Sequence, residues 1–190
     1  MHLGASVDDG KLAIKQWILK HIPLSGTILD MGAGGGTYNN LLSGYPYIMD
    51  AVDIYEPCAE ALINKYRSVY IMDICRFPFK ENYDLVILGD VLEHLTVERA
   101  QELIKKILPH TRYLLVAVPF MYYQDPEEDN AYEEHLQPDL NFDTMKDRYP
   151  ELKVLLYCET DKYPLIVDLQ TGKPAIFCYA YYIAKGDINE

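Results

Sequence analysis

Acidic residues flank a glycine-rich turn near residue 30, and together they could hold a nucleotide-like ligand. Asp30 ends a short apolar segment, and the alternate positions Gly32, Gly34 and Gly36 follow it. Glycines permit a sharp turn and let a ligand approach the main chain, and a helix that begins beyond them presents free N–H groups. Asp53 ends the next apolar segment, where a carboxylate can accept both hydroxyls of a ribose. The pattern predicts a site for a nucleoside-containing cofactor.

The spacing of the glycines distinguishes two classes of cofactor. Dinucleotide-binding turns read GxGxxG and hold a pyrophosphate at the helix N-terminus. This turn reads GxGxG, and Asp30 precedes its first glycine by two positions. A carboxylate there repels a pyrophosphate but suits the amino group of a methionine moiety, and acidic walls suit a sulfonium. The pattern favours S-adenosylmethionine, with S-adenosylhomocysteine as product, over the nicotinamide cofactor of an oxidoreductase or epimerase.

Two groups of polar side chains are candidates for chemistry on an acceptor. Asp90, Glu93 and His94 lie within five residues of one another after an apolar segment. They are candidate ligands of a divalent metal, but a turn held by hydrogen bonds is the favoured interpretation, and no metal is predicted. His135 follows two glutamates in a polar segment. It is the candidate general base, with a pKa near the working pH, or else a solvated loop histidine that is hydrogen-bonded to the backbone. Asp90 is a second candidate catalytic residue.

The elements that must position these residues alternate along the chain. Apolar strands and helices alternate over residues 27–118, which predicts an α/β fold with a doubly wound, Rossmann-like sheet. One of these helices is expected from Pro57 to about Tyr66. Two further strands, at 153–158 and 175–184, are joined by too few residues for a helical crossover, so they should pair antiparallel. The predicted sheet has seven strands and is mostly parallel, with the last strand antiparallel.

The length of 190 residues suits one domain spanning residues 1–190. Its first part, residues 1–24, should contain an amphipathic helix over 7–21, preceded by a capping box. Two long connections, 119–141 and 159–174, are expected to line an acceptor site, because connections of such length are typically lids or binding segments.

Composition restricts the partners. The formal net charge is −12, from 29 acidic and 17 basic residues. Such a surface repels phosphate backbones, so long nucleic acid is not an expected partner. A small neutral or cationic acceptor is favoured.

No secretory signal or membrane-length apolar run is visible, and none of the four cysteines forms a CxxC pair. We therefore expect a cytoplasmic protein that does not bind membranes; the oligomeric state has no signal in the sequence.

Ordered motifs over roughly residues 25–120 resemble those of class I S-adenosylmethionine-dependent methyltransferases, in the broad type 11 set. The motifs are ILDMGAGGG (28–36), AVDIYEP (51–57), DICRFPF (73–79), YDLVILGDVLEHL (83–95) and LLVAVP (114–119). Their order and spacing both match the family.

The resemblance implies a set of cofactor contacts at the ends of successive strands. In this sequence they are Asp30, Gly32, Gly34, Asp53, Ile54, Asp73, Ile74, Gly89 and Asp90. Asp30 would support the cofactor's amino group, Asp53 would take the ribose hydroxyls and Asp73 would accept from the adenine amino group. Gly89, through its carbonyl, and Asp90 would face the methionine end.

The resemblance also implies methyl transfer, and a small-molecule or sugar-like acceptor methylated on oxygen is the expectation. The fourth motif contains GDVL at 89–92 instead of an Asn/Asp-Pro-Pro-Tyr-like turn, so methylation of nucleobase amino groups is not expected. A protein that binds S-adenosylmethionine without catalysis is a further alternative.

Overall fold

The computed structural model describes residues 10–126, 130–160 and 177–188 of the chain. Its strands are β1 (Thr27–Met31), β2 (Ile48–Asp53), β3 (Ser68–Ile71), β4 (Tyr83–Gly89), β5 (Thr111–Phe120), β6 (Lys153–Thr160) and β7 (Phe177–Lys185). Its α-helices are α1 (Lys11–His21), α2 (Thr37–Leu41), α3 (Cys58–Leu62), α4 (Val97–Ile107) and α5 (Phe142–Arg148).

All seven strands belong to one sheet, in the order β3-β2-β1-β4-β5-β7-β6. Strands β1 to β5 pair in parallel, whereas β7 runs antiparallel to both of its neighbours, β5 and β6. The predicted fold class is confirmed: a doubly wound, Rossmann-like α/β sheet of seven strands in which only the last is antiparallel.

Helices pack on both faces of the sheet, and β1 supplies apolar side chains to both faces. Successive side chains of a strand point to opposite faces. Ile28 packs with Ile14 of α1 on one face, and Leu29 packs with Leu103 of α4 on the other. All four side chains are buried. A strand covered on both sides needs apolar side chains on both faces, as Ile28 and Leu29 provide here.

Helix α3 ends earlier than the sequence predicts. The expected helix runs to about Tyr66, whereas α3 ends at Leu62. The N–H groups of Lys65 and Tyr66 both donate to the carbonyl of Leu62, at 2.9 and 3.2 Å. This turn ends the helix and carries the Tyr66 side chain toward β1, where its hydroxyl meets Asp30. A tertiary contact therefore prevails over local helix propensity.

The two ends of the predicted domain are described only in part. Helix α1 begins at Lys11, after Gly10 in a left-handed conformation with φ of 82°. The predicted capping box and the first residues of the expected helix over 7–21 lie outside the described residues, as do positions 161–174 of the connection 159–174. Within the described ranges, no helix has both the length and the apolar character needed to cross a membrane.

Candidate active site

A cavity of about 610 Å³ lies at the carboxyl edge of the sheet. Its volume is in the range of small-molecule sites, and open α/β sheets bind ligands at this edge. All nine predicted cofactor contacts line it, together with Glu93, His94 and His135. The structure therefore brings together, at one place, residues drawn from separate parts of the chain.

The glycine turn after β1 requires glycine for two reasons. Gly32, Gly34 and Gly36 all have positive φ, of 75°, 50° and 83°, a region that costs other residues conformational energy. A Cβ on Gly32 would also lie 2.3 Å from Cγ2 of Val91. The N–H of Gly32 donates to the carbonyl of Val52 at 2.8 Å, which holds the turn against β2.

Asp53 connects the end of β2 to the glycine turn. Its Oδ2 accepts from the N–H of Gly34 and its Oδ1 from the N–H of Tyr55, each at 2.8 Å. Burial raises the pKa of Asp53, and these N–H bonds act in the opposite direction. A carboxylate oxygen can accept more than one hydrogen bond, so the fixed carboxylate retains capacity for hydroxyl donors in the cavity.

Asp30 is almost fully buried at the end of β1. The hydroxyl of Tyr66 donates to its Oδ2 at 2.6 Å. Burial raises the pKa of Asp30 to about 6, while the Tyr66 hydrogen bond and the Lys11 charge lower it and the charge of Asp53 raises it further. Tyr66 and Lys11 have no signal in the sequence, because neither belongs to a motif. Their positions follow from the packing of α1 and the early end of α3.

Asp73 caps the short 3₁₀ turn at Ile74–Arg76, where its Oδ1 accepts from the N–H of Cys75 at 2.9 Å. Its Oδ2 forms a 2.8 Å ion pair with Arg99 of α4. Arg99 also lines the cavity, although the sequence motifs do not indicate it. An adenine amino group at this position would therefore share the carboxylate with a guanidinium.

The end of β4 is shaped by two tyrosines. A Cβ on Gly89 would lie 2.3 Å from Cε2 of Tyr38, so glycine is required there by close packing. Asp90 has a φ of 56°, and its Oδ1 accepts from the hydroxyl of Tyr179 at 2.5 Å. Its Oδ2 is buried and has no hydrogen-bond partner in the described part of the chain. This oxygen is available to a ligand.

The segment that carries His135 is bound to the turn that carries Glu93. The N–H groups of Leu136 and Gln137 both donate to the carbonyl of Glu93, at 2.8 and 3.0 Å. The Gln137 side chain donates to the carbonyl of Leu92 at 2.8 Å. These bonds place His135 beside Glu93 and His94. Sequence spacing could not indicate this cluster, because the two segments are joined only by the fold.

His135 differs from its sequence-based expectation. It is 6% exposed, and its Nδ1 is bonded to the carbonyl of Tyr122 at 2.9 Å. Burial lowers its pKa to about 4, below the expected range near the working pH. The alternative, a solvated loop histidine bonded to the main chain, is wrong about the solvent and right about the main-chain bond. The flanking glutamates do not compensate for the loss of hydration. Burial and the neighbouring Asp90 raise the pKa of Glu93 well above its usual value.

One family of known proteins matches much of the chain that forms this cavity. Residues 29–114 match the model of a family described as a methyltransferase domain, type 11. That match begins in β1 and ends in β5, so it contains the glycine turn, Asp53 and the Glu93 turn. No curated protein matches the chain.

Solved structures share the fold over nearly the whole chain. TehB from Haemophilus influenzae is 21% identical with a TM-score of 0.64; the alignment covers 95% of this chain and 63% of TehB. An S-adenosylmethionine-dependent methyltransferase from Clostridium acetobutylicum is 13% identical with a TM-score of 0.64, covering 95% and 93%. Coclaurine N-methyltransferase, bound to N-methylheliamine and S-adenosylhomocysteine, is 13% identical with a TM-score of 0.63, covering 96% and 74%. This chain thus spans less than two thirds of TehB and most of the other two.

Proposed function

We propose that this chain, which carries a class I S-adenosylmethionine-dependent methyltransferase domain, methylates a hydroxyl group of a small-molecule or sugar-like acceptor. The observation that carries the proposal is the convergence of all nine motif positions on one cavity. At its far side, Oδ2 of Asp90 and both carboxyl oxygens of Glu93 have no hydrogen-bond partner among the described residues. The family match supports methyl transfer over nicotinamide chemistry.

The residues present fit the cofactor. Gly32 presents only main chain to the cavity, and a Cβ there would collide with Val91. Asp53 is held by two N–H groups in position for ribose hydroxyls. Asp30 is buried, and an ammonium beside it would keep its carboxylate ionised. We assign the remaining contacts to Gly34, Ile54, Asp73, Ile74, Gly89 and Asp90. No residue in this set is a phosphate-binding cation.

The chain's own contribution to the reaction is alignment and proton removal. S-adenosylmethionine supplies a methyl group on a cationic sulfur, so the acceptor oxygen forms a C–O bond as the C–S bond breaks and its electrons return to sulfur. The hydroxyl proton must leave the oxygen. We propose His135 and Asp90 as its acceptors, because the Nδ1 of His135 donates to a carbonyl and Oδ2 of Asp90 is unpartnered among the described residues.

The acceptor site is proposed to involve the connections 119–141 and 159–174. From the first of these, Tyr122, Tyr132 and His135 line the cavity. Aromatic rings beside carboxylates suit a compact neutral or cationic molecule.

All four cysteines lie in the described ranges and none forms a disulfide, which supports a reducing compartment and hence the cytoplasm as the proposed location.

The first test is binding, followed by a product search. Calorimetry should detect S-adenosylhomocysteine binding and no binding of a nicotinamide dinucleotide; the reverse result would exclude the proposal. The purified chain is then incubated with S-adenosylmethionine and a metabolite extract, and mass spectrometry searches for compounds that have gained a methyl group. Tight binding without any methylated product would favour the non-catalytic alternative.

A further inference from the structure

The far side of the cavity contains a buried carboxyl group, that of Glu93. Glu93 is 1% exposed, and neither of its carboxyl oxygens has a hydrogen-bond partner among the residues that the structure describes. Burying a carboxyl without such partners costs free energy. Because Glu93 lines the cavity, a ligand bound there is the natural partner for its oxygens.

Two histidines beside Glu93 are held in the form that binds metal ions. The Nδ1 atoms of His94 and His135 lie 3.0 and 2.9 Å from the carbonyl oxygens of Glu134 and Tyr122. A carbonyl only accepts, so each Nδ1 carries the hydrogen and each Nε2 keeps its lone pair. A second hydrogen bond that fixes the tautomer and orientation of the ring is the usual support of a histidine ligand.

The three side chains are close enough to share one ion. One ligand atom from each of Glu93, His94 and His135 lies within 4.8 Å of the other two. Metal–ligand bonds of about 2.1 Å in tetrahedral geometry place neighbouring ligands about 3.4 Å apart, so the cluster would have to close by roughly 1 Å to hold the ion. Asp90 does not belong to this group among the described residues. The sequence had paired it with Glu93 and His94; in the fold its Oδ1 accepts from Tyr179 instead.

We propose that Glu93, His94 and His135 bind a divalent transition-metal cation in the cavity. Two imidazoles and one carboxylate suit Zn²⁺, Mn²⁺ or Co²⁺, whereas Mg²⁺ prefers oxygen ligands. Three protein ligands leave coordination positions open, and these positions face the cavity because all three residues line it.

The role of the metal site rests on the proposed function, because the cation would act on the acceptor of the same methyl transfer. An acceptor hydroxyl that binds the cation loses its proton more readily than a free hydroxyl. His135 would then act as a ligand and not as the base, and the proton would pass to Oδ2 of Asp90, which remains unpartnered in the described chain. The acceptor class is thus narrowed to molecules whose reactive hydroxyl can coordinate a metal.

The test measures metal binding directly on the untagged chain. Co²⁺ is added to the metal-free protein and followed by visible absorption, and Zn²⁺ is titrated by calorimetry. We expect one ion per chain, with affinity at least tenfold weaker in Glu93→Gln and in His135→Ala. The control, His110→Ala, should bind as tightly as the unmodified chain, since His110 precedes β5 at the opposite edge of the sheet. Unchanged affinity in both site variants, or no binding by the unmodified chain at millimolar metal, would overturn the proposal.

A second measurement covers the case in which a variant does not fold. In the unmodified chain labelled with ¹⁵N-histidine, Mn²⁺ should broaden the ring signals of His94 and His135 and spare that of His110; equal broadening of all three contradicts the site. S-adenosylhomocysteine binding is measured separately. If the unmodified chain binds metal but not S-adenosylhomocysteine, the proposed function is overturned and the metal site stands. If it binds S-adenosylhomocysteine but not metal, the metal site is overturned and the proposed function stands.

Discussion

The hydroxyl of Tyr66 donates a 2.6 Å hydrogen bond to Oδ2 of Asp30, across 36 residues of sequence. Both side chains are buried. The bond opposes the effect of burial on Asp30, whose pKa is nevertheless raised to about 6. Tyr66 is thus a positioning residue: it orients the carboxylate proposed to pair with the cofactor's amino group and favours its ionised form.

Removing this hydrogen bond should weaken cofactor binding in a pH-dependent way. In Tyr66→Phe the pKa of Asp30 should rise further, because the stabilising donor is gone. We expect a loss of about 1 kcal/mol in S-adenosylhomocysteine binding near pH 6.5, roughly a fivefold higher Kd, and partial recovery at pH 8. Calorimetry at both pH values measures this. Tyr70→Phe, on the exposed edge strand β3, is the control, and an equal loss there would contradict the prediction.

The raised pKa of Asp30 should also appear in the stability of the ligand-free chain. Its folded pKa of about 6 exceeds the ordinary 3.8, so the folded state holds the proton more tightly than the unfolded state. The contribution of protonated Asp30 to the free energy of unfolding is fully present below pH 4. It is lost as the pH rises through 6, and the total loss is about 3 kcal/mol. Denaturant unfolding at several pH values should show this loss relative to Asp30→Asn, which cannot titrate. Parallel pH profiles for the two chains would contradict it.

The glycine turn offers a matched pair of substitutions. Gly32 and Gly44 have φ values of 75° and 87°, so alanine at either position costs about 1–2 kcal/mol of backbone strain. At Gly44 an added Cβ meets nothing within 4 Å in the described chain, whereas at Gly32 it lies 2.3 Å from Cγ2 of Val91. Gly32→Ala should therefore lose more unfolding free energy than Gly44→Ala and should abolish S-adenosylhomocysteine binding. Equal stability and affinity in the two variants would show that the close contact does not matter.

His135 is expected to affect turnover and not cofactor binding. As base or as metal ligand it acts on the acceptor, so His135→Ala should lower the rate by about 100-fold or more. Once an acceptor is identified, single-turnover rates measure this effect, and calorimetry should give an S-adenosylhomocysteine Kd within about twofold of the unmodified chain. His21→Ala is the control, because His21 bonds to a main-chain carbonyl within α1. Unchanged turnover in His135→Ala would remove His135 from the chemistry.

Local patterns in the sequence were sufficient for the fold and for the half of the cavity that the predicted cofactor residues line. Strand periodicity, the glycine turn and the acids at strand ends depend on neighbours in the chain. Parallel strands place their carboxyl ends at one edge, so Asp30, Asp53 and Gly89 were expected to converge, and all three line the cavity.

The other half of the site was decided by tertiary structure alone. Tyr66 reaches Asp30 because α3 ends at Leu62. His135 meets Glu93 because main-chain bonds dock its segment on the Glu93 turn. Such contacts join residues far apart in the chain, and an irregular segment has no periodic pattern from which its docking could be predicted. Burial then lowered the pKa of His135 to about 4, since desolvation depends on everything packed around a residue and not on its sequence neighbours.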